Sequence, residues 1–301
     1  MRYWLAILLV LGGAGLARAQ FPDLATVEIQ AQKLADGIYM LTGAGGNMGV
    51  SVGDDGVFLV DDQFAALTPK IEASIRKLSD QPIRFVLNTH LHHDHTGGNE
   101  NLGKAGATIV GHHTVRERMS REQFNPYVDV RTPPHLHHAM PLLTYSEDMV
   151  FHVNGHDIRV HHIGPAHTDG DSLIHFRAAN ILHTGDVFVH SMYPFVDVTS
   201  GGSIDGILAC CDEVLALADD QTQIIPGHGP VSTRADVQAF RNVVQAARDR
   251  IAALLSQGKT LEETIAADPL AEYNAEWGDG FLPPERFITF VYLSLGGEGG
   301  S

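Results

Sequence analysis

Apolar, β-branched runs broken by glycine come first: Ile38–Thr42, Met48–Val52 and Val57–Val60 read as strands. Thr68 to Leu78 reads as a helix, with Thr68 as its cap, Pro69 in the first turn, and Ile71, Ile75 and Leu78 on one face. Ile83–Leu87 is a short strand running straight into Asn88-Thr89-His90, a helix starts near Asn99, and Thr108–Val110 is the next strand. Residues 121–141 read as a loop, because Pro126, Pro133, Pro134 and Pro141 break any period. The second half repeats the order. Strands are expected at Met149–Val153, Ile158–His162, Ser172–Phe176 and Ile181–His183, then a helix over Ile204–Ala218 and a strand at Ile224-Ile225. A long amphipathic helix follows, with Phe240, Val243, Val244, Ala247, Ile251, Leu254 and Leu255 on one face, and Pro283–Leu295 adds a terminal helix. Two strand-rich halves, each followed by helices, predict an α/β (α+β) domain over 20–301 with sheets packed together and helices outside.

Charge narrows the class of partner. The 301 residues carry 36 acids against 20 bases, a formal charge of −16 that repels phosphate backbones and disfavours nucleic acid; a small molecule is the expected substrate. Residues 1–19 read as an export signal: Met1-Arg2 is a positive start, Leu5 to Leu16 an apolar or small-residue run, and Ala17-Arg18-Ala19 a small-x-small site before Gln20. The run is shorter than the ~20 residues of a bilayer span, so the expectation is a periplasmic or secreted chain with no stable membrane anchor after cleavage. The adjacent Cys210 and Cys211 cannot form a disulfide framework; on a helix with Ile207, Leu208, Val214 and Leu215 they are expected to be buried packing. Nothing in the pattern sets the oligomeric state.

Histidine changes the picture. All 18 lie between His90 and His228, so the middle of the chain is where chemistry is expected. His90, His92, Asp94 and His95 are four potential ligands within six residues, directly after a strand. A strand puts matching side chains two apart and a helix three or four apart; this spacing is neither over its whole length. His90 and His92 can share a direction while Asp94 and His95 diverge toward a second centre, which suits two metal ions side by side. His167, Asp186 and His228 each sit in a glycine-containing turn past a strand, where loops converge on one rim.

The ordered set His90-x-His92-x-Asp94-His95, His167, Asp186, His228 resembles the metallo-β-lactamase superfamily of metal-dependent hydrolases, over residues from about 33 to 257. The resemblance implies a four-layer αββα sandwich with a dinuclear, usually zinc, site at one edge of the sheets. It implies that His90, His92 and His167 hold the first metal, that Asp94, His95 and His228 hold the second, and that Asp186 bridges them. Asp61 or Asp62 matches the family's acidic strand end and orients a ligand histidine. Many dedicated β-lactamases of the superfamily carry Cys or Ser where Asp186 stands; aspartate is more typical of thioesterase, lactonase and other hydrolase branches.

Such a site lowers the pKa of bound water from 15.7 to roughly 7. The expected reaction is attack of that water on a carbonyl carbon, with Asp94 accepting a hydrogen bond from the nucleophile. Five imidazoles among seven ligands favour Zn2+, two per chain, with Fe or Mn in one position also compatible. Weaker signals stay open at this stage. Tyr193 either hydrogen-bonds a substrate oxygen or packs in the core. Gly45-Gly46-Asn47 either borders the site or is a plain hairpin turn. His135, His137 and His138 form an exposed loop or a substrate rim, while His112-His113 and His161-His162 are structural. The leading function is an exported dinuclear zinc hydrolase opening a β-lactam- or lactone-type ring. The alternatives are a thioesterase of the glyoxalase II kind, for which residues 258–301 offer only Lys259 and Arg286 as basic residues, and a non-catalytic periplasmic zinc-binding protein.

Overall fold

The computed structural model describes residues 23–127 and 130–298, so the expected export segment lies outside the described residues. In chain order the first half contains β1 (Gln30–Ala35), β2 (Ile38–Thr42), β3 (Met48–Gly53), β4 (Gly56–Val60), α1 (Thr68–Arg76), β5 (Ile83–Leu87), α2 (His93–Thr96), α3 (Asn99–Lys104), β6 (Thr108–His112), α4 (His113–Met119), β7 (Gln123–Asn125), β8 (Val130–Thr132) and β9 (Leu143–Tyr145). The second half contains β10 (Asp148–Val153), β11 (His156–His162), β12 (Ser172–Phe176), β13 (Ile181–His183), α5 (Ile204–Leu217), β14 (Gln223–Ile225), α6 (Arg234–Ser256), α7 (Leu261–Ala266), α8 (Asn274–Trp277) and α9 (Pro284–Ser294).

Seven strands form one sheet in the order β1-β2-β3-β4-β5-β6-β9, and five form a second in the order β10-β11-β12-β13-β14. Three apolar clusters define four layers. Phe58, Val60, Leu87 and Val110 of the first sheet meet Ile158, Val160, Ile174 and Ile225 of the second. On the outer face of the first sheet, Leu41, Val57, Leu59 and Val86 pack on Ile71 and Ile75 of α1. On the outer face of the second, Leu173, Leu182 and Ile224 pack on α5, α6 and α9 through residues such as Ile207, Phe240 and Phe290. All five residues of β4 are buried because the strand has a covered face on either side. This is the αββα sandwich that the motif order implied.

Helix starts follow capping chemistry. Thr233 and Asp236 form a reciprocal capping box at α6, and the Ser203 hydroxyl accepts from the Gly206 N–H at α5. Helix α1 begins at Thr68 with Leu67 as N-cap and ends at Arg76, short of the expected Leu78. Strand β1 was not expected, because its side chains are mostly exposed and carry no alternation; it exists by antiparallel pairing to β2. The proline-rich 121–141 segment is more ordered than a loop, holding the β7–β8 hairpin and a 3-10 turn at His137–Ala139. Strands β4, β5, β6 and β9 run parallel, as do β13 and β14. Their carboxyl ends make the rim where ligand-type residues collect. Among the described residues no helix is long and apolar enough to cross a membrane.

Candidate metal centre

The rim brings together all seven residues singled out from the sequence. His92 Nδ1 faces His90 Nε2 at 3.2 Å and His167 Nε2 at 2.8 Å. His95 Nε2 lies 3.0 Å from Asp186 Oδ1 and 3.6 Å from Asp94 Oδ2. His228 Nε2 lies 3.3 Å from Asp94 Oδ2 and 3.4 Å from Asp186 Oδ2, and His167 Nε2 is 3.7 Å from Asp186 Oδ2. Three groups, His90-His92-His167, Asp94-His95-His228 and His90-His95-Asp186, each keep their ligand-type atoms within 4.8 Å of one another. Asp186 is therefore placed between the other two triads.

Local structure explains the split. His92 is extended, and α2 then turns the chain once, so Asp94 reaches His228 while the His95 ring stays 4.2 Å from that of His90 and turns its Nε2 to Asp186. Glycine lets neighbouring segments close in. A Cβ on Gly46 would fall 2.0 Å from His95 Cε1, and one on Gly227 would fall 2.0 Å from Asp186 Oδ1. The Gly45-Gly46-Asn47 turn is thus both a hairpin turn and a wall of the site. It is pinned by Asn47 Nδ2 donating to the carbonyls of Pro226 and Gly229 at 2.9 and 2.8 Å.

Four of the five imidazoles are held by a second hydrogen bond that leaves the inward nitrogen bare. Asp61 Oδ2 accepts from His95 Nδ1 at 2.7 Å and from Thr89 Oγ1 at 2.7 Å. With its proton given to Asp61, the Thr89 hydroxyl accepts from His90 Nδ1 at 3.0 Å. His92 Nε2 donates to Asp197 Oδ2 at 2.9 Å, and His167 Nδ1 to the Phe195 carbonyl at 2.6 Å. Each bond selects the tautomer whose lone pair points into the cluster. The inward His95 Nε2 and Asp186 Oδ1 are both buried without a geometrically sound hydrogen-bond partner. Orphaned buried polar atoms are costly unless something else takes them, and bare imidazole nitrogens with carboxylates are the donor set of a zinc-type cation. The residues present fit a pair of such ions.

The charges agree. Burial, with the neighbouring His95 and His167, drives His90 well below the ordinary imidazole pKa, so it is neutral and ready to ligate. Burial and His92 bring His167 to about 4. Burial opposes a charge on His228, yet Asp186 and Asp94 push it up to about 10; burial likewise works against Asp94, yet His95 and His228 bring it to about 2. Carboxylates that hold a proton on His228 so firmly are a field built for a cation.

The family model described as the metallo-beta-lactamase superfamily matches residues 41–228. The chain belongs to that superfamily. Among curated relatives it is 28% identical over 141 residues to a hydroxyacylglutathione hydrolase of Pelagibacter ubique, covering 44% of this chain and 51% of that one. It is 30% identical over 148 residues to a hydroxyacylglutathione hydrolase of Polaromonas sp., covering 48% of each. The chain thus spans about half the length of the curated relatives it matches. Among solved structures, DIM-1 metallo-beta-lactamase aligns with a TM-score of 0.58 at 20% identity, over 73% of this chain and 99% of that one. A metallo-beta-lactamase from Pontibacter korlensis aligns with a TM-score of 0.58 at 16% identity, over 72% and 99%. Metallo-beta-lactamase superfamily members are metal-dependent hydrolases, and this chain carries their fold and His/Asp clusters able to bind metal.

Within this superfamily fold, other expected residues fall into place unevenly. Of the two acids after β4, Asp61 holds His95, while Asp62 accepts the Gly98 N–H at 2.8 Å. Tyr193 is core: it is 2% exposed, stacks on Phe287 at 4.6 Å and gives its hydroxyl to Asn274 Oδ1 at 2.8 Å, so it offers no free group to a substrate. His112 and His162 stack at 3.7 Å and are structural; His93 packs on Phe64, away from the cluster. His137 and His138 are exposed. Cys210 and Cys211 are buried free thiols. Sequence reading missed Asp197. Its Oδ1 accepts from the N–H groups of Thr199 and Ser200, a turn signature legible in Asp-x-Thr-Ser, but nothing in the sequence placed its Oδ2 on His92.

Proposed function

We propose that this superfamily member is an exported dinuclear zinc hydrolase that opens a cyclic amide or ester of the β-lactam or lactone type. The observation that carries the reading is the convergence of five inward imidazole nitrogens with the carboxylates of Asp94 and Asp186, four of the imidazoles fixed as the ligating tautomer. His90, His92 and His167 would hold one ion, Asp94, His95 and His228 the other, with Asp186 shared. Five imidazoles in seven ligands favour zinc, and the same set accepts iron or manganese in one position. Bound cations supply an acidified water and a polarised carbonyl. The chain's own residues do the rest. Asp94, ionised at neutral pH, accepts a hydrogen bond from the attacking water and carries its proton toward the leaving group. Asp61 and Asp197 keep the imidazoles aimed.

A second reading is thioester hydrolysis, supported by the names of the two curated relatives. Of the two basic residues beyond position 257, Lys259 is paired with Glu263, which leaves little to grip a polyanionic carrier. The test is a metal count on the purified protein, followed by turnover of nitrocefin, a homoserine lactone and a glutathione thioester. Two zinc ions with ring opening support the proposal. Thioester turnover alone moves the assignment to the second reading, and metal without turnover of any of the three moves it to a zinc-binding protein. Export is tested by fractionation of cells expressing the full chain.

A further inference from the structure

Beside the ligand cluster stands an aromatic shelf that holding metal does not require. The Phe195 ring lies along His92, with centroids 5.7 Å apart and planes within 20°, and meets His167 edge-on at 5.8 Å. Phe195 packs on Phe290 of α9 at 4.8 Å, and Phe290 on Tyr127 at 5.8 Å. Phe290 is fully buried, whereas Phe195 and Tyr127 both keep part of their surface open. Tyr127 follows β7 and is tied to the centre: its N–H donates to Asn125 Oδ1 at 3.0 Å, and Asn125 Nδ2 reaches Asp197 Oδ1 at 3.4 Å. Asp197 is the carboxylate that orients His92.

Arg286, at the start of α9, closes the outer end of this shelf. Its Nη1 donates to the Tyr127 carbonyl. Among the described residues no carboxylate lies within ion-pair distance of it, although the chain has 36 acids for 20 bases. Among the described residues that one N–H is the only part of this exposed guanidinium that is engaged, and a planar fork of this kind pairs with carboxylates.

We propose that Phe195, Tyr127 and Arg286 form the acyl-side subsite, selecting substrates whose carbonyl carries an apolar, preferably aromatic, group ending in a carboxylate. The aromatic faces take the apolar body and Arg286 pairs with the carboxylate. This deepens the hydrolase reading and rests on it.

The test uses a matched pair, 4-nitrophenyl phenylacetate and the mono-4-nitrophenyl ester of 1,4-phenylenediacetic acid, with the zinc-loaded protein. The ratio of kcat/KM for the anionic over the neutral ester is expected to fall about tenfold in Arg286→Ala, mainly through KM, and to recover in part in Arg286→Lys. Calorimetric titration with 1,4-phenylenediacetate should show the same tenfold loss of affinity in Arg286→Ala, and it requires no turnover. A ratio that does not move, with unchanged calorimetric affinity, overturns the subsite while leaving the hydrolase intact. Arg286-dependent binding with neither ester cleaved, and no turnover of nitrocefin, a homoserine lactone or a glutathione thioester, sustains the subsite and sinks the hydrolase reading. Tyr127→Leu, which keeps an apolar surface, should weaken binding of the aromatic diacid less than Tyr127→Ser; equal losses would argue against the shelf.

Discussion

Asp61→Asn isolates the tautomer argument. Asp61 is fully buried, sits at φ +58°, and accepts three hydrogen bonds: from Thr89 N at 2.8 Å, Thr89 Oγ1 at 2.7 Å and His95 Nδ1 at 2.7 Å. Asparagine tolerates the left-handed backbone and fills the same volume. Its oxygen can still take the Thr89 N–H, but an NH2 group then replaces Oδ2. It must donate to His95 Nδ1, which moves the histidine proton onto the inward Nε2. It must also donate to Thr89 Oγ1, whose hydroxyl turns toward His90 Nδ1 and moves that proton inward as well. One atom change thus blocks a ligand in each triad. Loss of such an outer hydrogen bond costs about 10- to 100-fold in metal affinity, or about 1.4–2.7 kcal/mol per ion. Stability without metal should change by only ~1–2 kcal/mol, because every buried group keeps a partner; Asp61→Ala would strand three donors at ~1–3 kcal/mol each. Metal content after dialysis against graded chelator, with imidazole 15N shifts to read the tautomers, makes the measurement. Retention of both ions with affinity within a factor of about three, or unchanged tautomers, would refute the reasoning.

Asp197→Ala should weaken the His90-His92-His167 ion about 10- to 100-fold and leave the second less affected, read by stepwise chelation. Metal uptake should release protons. Without a cation His228 holds its proton up to about pH 10, so affinity should climb as pH rises toward that value, checked by pH-stat titration in weak buffer. The same raised value means that the metal-free protein keeps this ion-pair stabilisation below pH ~6.5 and loses it as pH passes about 10, so its thermal midpoint should fall across that window. Cys210 and Cys211 are buried, with the Cys211 thiol pushed up to about 12; both should resist a thiol reagent in the native protein and react on denaturation, and fast native labelling would contradict the packing.

Much of this protein is legible from side-chain order alone. The buried strand β4 announces itself as an unbroken apolar run and the amphipathic α6 by the period that burial on one face imposes, and the seven ligand-type residues because few structures need such residues at strand ends. Edge strand β1 and the β7–β8 hairpin escaped, since exposed strands are held by backbone pairing that leaves little mark on composition. Only the tertiary structure decided between Asp61 and Asp62, withdrew Tyr193 into the core, and set Asp197 on His92 across 105 residues of chain. The type of a residue says which atoms it can coordinate or donate, and that is local. Where those atoms point depends on which distant segments share a rim, and a hydrogen bond between residues far apart in the chain is decided by packing.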